Sequence, residues 1–343
     1  MQVDKQPFPK TLYYLQIVLF SAIVLYFGKT LFIPLFFGLL IAIVMYPVCK
    51  WFEYHRMGKT LAITFCLLIV TILFLTLFAI FVWQINVFGK DIPGILKSLE
   101  GVLPQLLVWL TEKFGTGFDL QRNWNEKLSA TIGSLMSSTF ETTVNTLFIL
   151  FLTPVYTALF LYHRKSFVRY LKLITPAKYQ HQLDIILAQT IHTYFNYIKG
   201  MVLVYIIVGI LNSIGLFALG VQHAVLFGML CAIMTIIPYI GIFISALLPI
   251  SFAWMDTGNV LYPLGVIAIF GFVQYLEANV IFPKVVGTQL NVSTFAMLVA
   301  IIAGGIIWGV AGMVLFIPFV AILTIISENI DEWKPINVLL SRK

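Results

Sequence analysis

Glu277 stands in the segment Val273-Gln-Tyr-Leu-Glu-Ala-Asn-Val-Ile-Phe-Pro-Lys284, three residues after Gln274 and two before Asn279. Residues three apart share a helix face. Gln274 and Glu277 can therefore hydrogen-bond a polar solute or coordinate a cation, with Asn279 beyond them. Protonation of Glu277 would switch that affinity, because burial raises a carboxyl pKa while a nearby cation, here Lys284, lowers it. The same residues admit a structural reading, in which Glu277 pairs with Lys284 or Asn279 caps a helix at the inner membrane face. Asn212, alone in an apolar run, is a second polar candidate, either an interhelical hydrogen-bond donor or a ligand.

Other chemistries lack their residues. Gly28-Lys-Thr30 and Gly58-Lys-Thr60 resemble the end of a phosphate-binding loop, but the glycine required five positions earlier is Ile23 in one case and Glu53 in the other. His55, His163, His181, His192 and His223 form no compact ligand set. Cys49, Cys66 and Cys231 show no paired spacing, so neither a disulfide framework nor a metal site is expected. The Asn291-Val-Ser293 sequon falls on the expected inner side and is read as accidental. No catalytic residue, cofactor or metal is expected, and the chain is not read as an enzyme.

The elements that carry these side chains follow from composition. Hydrophobic residues make up 60% of 343 and charged residues 10%, far below the quarter usual for a soluble domain. Membrane lipid is the solvent implied. Runs long enough to cross a hydrocarbon core as helix lie at roughly 12 to 27, 31 to 49, 61 to 85, 143 to 162 and 200 to 219. Two longer tracts, 224 to 255 and 293 to 327, flank a further run at 260 to 276. None alternates like a barrel strand. The fold class expected is an all-α polytopic membrane protein of about six full transmembrane helices plus two re-entrant helical hairpins. The net charge of +7 is spread along span ends and does not suggest nucleic acid. No A-x-A-like cleavage site follows the first run, so it is read as an uncleaved first helix.

Short loops orient the chain. Lys50, Arg56 and Lys59, then Arg164, Lys165, Arg169, Lys172, Lys178 and Lys199, belong inside by the positive-inside rule, which puts both termini in the cytoplasm. A single straight span at 224 to 255 would then put Lys284 outside. A hairpin avoids this, with its break at Pro238, Tyr239 and Gly241, where Pro removes a backbone donor and Gly permits a turn. The second tract reads likewise, with breaks at Gly304, Gly305, Gly309 and Gly312 and Pro318 beyond. Pro283 and Gly287 close the Glu277 segment. Non-helical backbone at membrane depth belongs where it is buried or lines a cavity, and paired broken elements point to a transporter's binding site. Kinked, tilted spans are the plainer alternative. Gly305-x-x-x-Gly309 also permits close helix approach.

The organisation expected is transmembrane helices over 1–85, an extracytoplasmic amphipathic segment over 86–142, a span at 143–162, a cytoplasmic amphipathic segment over 163–199, a transport core over 200–330 and a cytoplasmic tail over 331–343. The amphipathic stripes at 92–110 and 183–198 suggest subunit or membrane contacts.

Three ordered blocks also carry a resemblance: Pro238-Tyr-Ile-Gly241; Gln274 through Gly287; and Gly304-Gly-Ile-Ile-Trp-Gly-Val-Ala-Gly-Met313, ending in Ile317-Pro318. Together they resemble the signature segments of the autoinducer-2 exporter (AI-2E) family of bacterial permeases, over nearly the whole chain. Ile242, Ala278 and Asn291-Val-Ser-Thr294 depart from the family's usual Pro, Gly and Pro-bearing patterns. The resemblance implies a bacterial inner-membrane transporter and a homo-oligomer, with a pentamer as the implied stoichiometry. It implies export of a small polar solute, autoinducer-2-like, or antiport of a monovalent cation (sodium or lithium) against a proton. A gated channel or a non-transporting scaffold would share the same elements.

Overall fold

A computed structural model describes residues 10–76, 78–80, 149, 151–237, 240–286 and 290–342. Its regular elements are helices, with one isolated antiparallel bridge between Val292 and Ser341. They are α1 (Lys10–Phe27), α2 (Lys29–Tyr54), α3 (Lys59–Ile80), α4 (151–174), α5 (Gln180–Ala218), α6 (Ala224–Met234) and α7 (Ile240–Thr257). After these come α8 (Leu261–Leu276), α9 (Phe282–Val285), α10 (Thr294–Trp308), α11 (Val310–Asn329) and α12 (Lys334–Leu340). The chain is an all-α, multi-pass membrane protein. Five helices among the described residues are long and apolar enough to cross a membrane: α2, α3, α5, the continuous α8–α9 stretch and α11. On α5, Ile206, Ile210, Ile214 and Phe217 recur every three or four residues and are each more than half exposed. Such a stripe suits lipid, where a large exposed apolar face carries no penalty.

The chain divides into two compact units. The first holds α1, α2, the start of α3, α4, the start of α5 and α10–α12. Small residues set its helix spacing. A Cβ on Gly38 of α2 would lie 2.6 Å from Tyr156 Cβ on α4, and Thr157 donates to its own helix at Thr153 O, 2.8 Å away. The Trp308 indole N–H donates to Leu25 O at 2.8 Å, fastening α10 to α1. Its ring lies 5.7 Å from that of Phe36 on α2. Tyr194 of α5 donates its hydroxyl to Pro318 O.

The second unit holds the rest of α3, the second half of α5 and α6–α9. Leu216, Phe227, Cys231, Phe252, Val266 and Phe270 form its principal core, and Val204 and Val208 pack on Val273 and Val286. Gly228 brings α6 against α5, since a Cβ there would lie 2.0 Å from Ser213 Oγ. Without a strong solvent-driven force between helices in lipid, close backbone approach of this kind supplies the packing.

Both overlong tracts fold as helix–turn–helix hairpins. In the first, a Cβ on Gly241 would lie 1.7 Å from Met234 O, so only glycine allows α7 to leave the turn at that angle. Pro238 and Tyr239 lie outside the described residues, as do Gly287 and the expected outer segment over 86–142. In the second, Gly309 alone makes the turn, with φ 62° and ψ −141°. Gly304, Gly305, Gly312 and Pro318, read from sequence as breaks, are inside continuous helix. Gly304 and Gly312 instead press the two limbs together: a Cβ on Gly304 would lie 2.3 Å from Gly312 O. Gly305-x-x-x-Gly309 is therefore not the close-approach seam, because Gly309 has left the helix. This placement makes the limbs unequal. α10 has fifteen residues, about 22 Å, whereas the twenty residues of α11 reach about 30 Å, a full crossing and more than a half-helix.

Two further boundaries differ. The expected cytoplasmic segment to 199 and the span from 200 form one 39-residue helix, α5, since neither Gly nor Pro stands between Gln180 and Lys199 and Gly200 is kept in register. Helix α4 likewise continues past 162 to residue 174, stopping before Pro176, which has no N–H to extend it.

Candidate functional site

The Glu277 segment owes its shape to Pro283. A proline six positions on cannot donate to the carbonyl of Asn279, and its ring crowds that carbonyl. The helix relaxes into a π turn over Glu277–Ile281, in which Phe282 N–H reaches back five residues to Glu277 O. The α register resumes with Val286 N–H to Phe282 O at 2.9 Å. π turns of this kind are frequent at functional sites. Gly200 on α5 makes room for the end of the segment, as a Cβ there would lie 3.2 Å from Val285 O.

Glu277 is buried at 8% exposure, and its Oε2 has no hydrogen-bond partner. Lys284 is exposed, and no ion pair joins it to Glu277. The geometry thus does not provide the structural pair that the sequence left open. Asn279, two residues beyond Glu277 in the π turn, is exposed and donates its amide to Tyr275 O at 2.9 Å. It neither joins Glu277 nor caps a helix terminus. Gln274 is half-buried, one turn before Glu277.

Helices α5, α6 and α7 supply the surroundings. Tyr205 on α5 and Cys231 on α6 lie within electrostatic reach of Glu277. Asn212, 1% exposed, donates Nδ2 to Cys231 Sγ at 3.4 Å, while its Oδ1 has no partner. Cys231 Sγ also meets the hydroxyls of Thr235 and Ser245. Thr235 begins the turn of the first hairpin, and Ser245 is wholly buried on α7. Asn212 thus reaches the neighbourhood of Glu277 through Cys231. Tyr205, Thr235 and Ser245 are not singled out by sequence, and Cys231 enters there only among cysteines without paired spacing. Tyr205 offered the one available signal, since a phenol in an apolar run needs a partner when buried.

A buried carboxyl oxygen and a buried amide oxygen, both without donors, are unusual in packed protein. Leaving each open costs about 1–3 kcal/mol. A protonated carboxyl, the hydroxyl or amine of a solute, or a cation would satisfy them. Among the described residues no three His, Cys, Asp or Glu side chains converge as a metal site.

A sequence model described as "AI-2E family transporter" matches residues 15–332. The chain belongs to the AI-2E transporter family. Two relatives bear the name "Putative transport protein": YrrI of Bacillus subtilis is 25% identical over 312 residues, 87% of this chain and 86% of the relative. YhhT of Escherichia coli K12 is 25% identical over 311 residues, 90% and 87% of the two chains. The "AI-2 transport protein TqsA" of Escherichia coli K12 is 23% identical over 324 residues, 92% of this chain and 90% of the relative. The family read from the three sequence blocks is the family found, and its members are named as transport proteins. This chain is a membrane transporter.

Proposed function

We propose that this transporter is a secondary exporter of a small polar solute, with Glu277 as the group that binds and releases the coupling proton. The observation that carries the reading is the buried, unpartnered Oε2 of Glu277 at a π turn, within electrostatic reach of Tyr205 on α5 and Cys231 on α6. An ionisable side chain kept at membrane depth without a countercharge is expensive, and such groups mark solute and proton pathways. Protonated, Glu277 offers a donor and a neutral site; ionised, it offers two acceptors for the hydroxyl or amine groups of a solute. The AI-2 transport named for TqsA supports a small polar metabolite as cargo. On this reading the chain works in the bacterial inner membrane with both termini cytoplasmic, as a homo-oligomer, and carries out no catalysis.

A second observation favours cation/proton antiport. The Asn212 Oδ1 and Glu277 Oε2 acceptors, both donor-free, suit a monovalent cation as well as a solute donor. Sealed proteoliposomes separate the possibilities. Saturable flux with counterflow identifies a carrier, simple conductance a channel, and sodium- or lithium-dependent proton movement without metabolite counterflow the antiporter. Glu277→Gln is expected to keep the fold and abolish the pH dependence of flux; an unchanged pH profile would remove Glu277 from coupling.

A further inference from the structure

The first unit holds a set of side chains that the proposed proton coupling does not involve. Cys49 on α2 and Cys66 on α3 are 0% and 1% exposed and pack in one cluster with Ala42, Ala62, Ile63 and Leu161. The two thiols lie within electrostatic reach of each other. The register follows from the short 55–58 connection. Cys49 lies five residues before the end of α2 and Cys66 seven after the start of α3, about 8 Å and about 11 Å from the turn. An antiparallel pair therefore holds them at similar depth.

Cys49 has polar neighbours that an inert core thiol lacks. Arg164 of α4 directs Nη1 to Cys49 Sγ at 3.6 Å, and the Cys49 thiol faces Glu53 Oε1 at 3.9 Å. Arg164 Nη2 grips both Glu53 oxygens, at 2.5 and 2.6 Å. The side chains of Arg164 and Glu53 are 13% and 23% exposed. The polar edge of the cluster thus meets the surface while both sulfurs stay covered.

We propose that Cys49 and Cys66 form a modification site, a dithiol that hydrogen peroxide oxidises to an intrachain disulfide tying α2 to α3. Cys49 releases its proton toward Glu53, and the thiolate, facing Arg164, attacks one peroxide oxygen. The O–O bond breaks, and the departing hydroxide takes that proton to become water. The Cys49 sulfenic acid is then attacked by the Cys66 sulfur; the S–O bond breaks, the disulfide forms, and the Cys66 proton leaves with the hydroxyl as a second water. Two thiols and one peroxide give one disulfide and two waters. A guanidinium beside the attacking sulfur favours the thiolate, whereas apolar packing opposes it. Oxidation is therefore slower than at an exposed activated thiol. A resolving thiol packed in the same cluster diverts the sulfenic acid to disulfide before further oxidation.

The test uses the full-length protein in proteoliposomes. After graded hydrogen peroxide, free thiols are alkylated in denaturant and peptides are mapped by mass. The expected product is a Cys49–Cys66 linked peptide, 2 Da below the sum of its parts, that dithiothreitol abolishes and that Cys66→Ser cannot form. Arg164→Gln, if folded, should slow its appearance severalfold. In Cys66→Ser the sulfenic acid on Cys49 should instead be trapped by dimedone. Full alkylation of both cysteines at peroxide levels that oxidise an exposed control thiol would overturn the proposal. So would a link between two chains, or Cys49 sulfinic acid beside free Cys66 in the unmutated protein.

Discussion

The two hairpins share a plan but bury different chemistry. In α10–α11 the limbs meet at Gly304 and Gly312, and the buried Thr324 and Ser327 of α11 are hydrogen-bonded. Thr324 donates to Val320 O at 2.9 Å, Ser327 to Thr324 O at 2.9 Å, and Asn337 to Ser327 Oγ at 3.0 Å. Around α6–α7 the backbones meet as closely, at Gly241 and Gly228, yet Asn212 and Glu277 each keep an open oxygen. A hairpin with its polar groups paired supplies shape. On the proposed reading, one packed against open acceptors supplies a place for a proton or solute, because only a further donor or cation recovers their burial cost.

The sharpest way to break this comparison is to overfill the dry hairpin. Gly304→Leu or Gly312→Leu would force side chain into backbone and should cost about 3 kcal/mol or the folded protein itself, seen as lost thermal stability in detergent. Gly271→Leu, where a Cβ meets nothing within 4 Å, should be neutral or stabilising by up to about 1 kcal/mol. Equal behaviour of the two would remove the packing argument.

The next effect separates transport from fold. Asn212→Leu deletes an open acceptor, so its stability should stay within about 1 kcal/mol of the parent while flux falls about tenfold or more. Trp308→Phe should do the reverse, losing about 1 kcal/mol because Leu25 O is left without its donor, with the pH profile of flux unchanged. A smaller and more local contrast comes from thiol labelling. Thr235→Cys, at the turn beside Cys231, should react with a small water-soluble reagent faster than the parent. Gly305→Cys, whose Cβ faces Met313, should stay inert; equal labelling would make both hairpins wet.

The smallest effect lies at an exposed ionic contact. At the exposed contact between the start of α5 and the residues before α12, Glu332 accepts from the Tyr179 hydroxyl and, at 3.0 Å, from Lys178. These contacts, Tyr179 first, hold its carboxyl down from 4.5 to about 2. A depressed carboxyl stabilises the folded form above its ordinary pKa and loses that contribution as pH falls from about 4.5 toward 2. Hydrogen exchange at Asp331–Trp333 should quicken across that window, and Lys178→Ala should weaken the dependence.

Much of this was legible from residue order. Long apolar runs with Pro and Gly near the middle of two of them predict hairpins, since lipid leaves the backbone few other options. The positions of the turns were not. Gly304, Gly309 and Gly312 look alike in sequence, but only Gly309 needs a positive φ; the other two are glycines because another helix passes over them. The site was read only in part for a similar reason. Gln274 and Glu277 share a face by local spacing, whereas Asn279 was grouped with them by proximity along the chain and points elsewhere. Asn212, Tyr205, Cys231 and Ser245 come from three helices, and no local period relates them to Glu277.

Sequence by itself determined the solvent, the helical class, the family and the residue on which the proposed function turns. Each depends on composition or on a short ordered block. Tertiary structure decided that Lys284 does not pair with Glu277, that a π turn presents this acid, and that two acceptors remain open beside a hairpin. Those outcomes depend on which helices press together and on which donors then come within reach, and neither is encoded by spacing along one strand of chain.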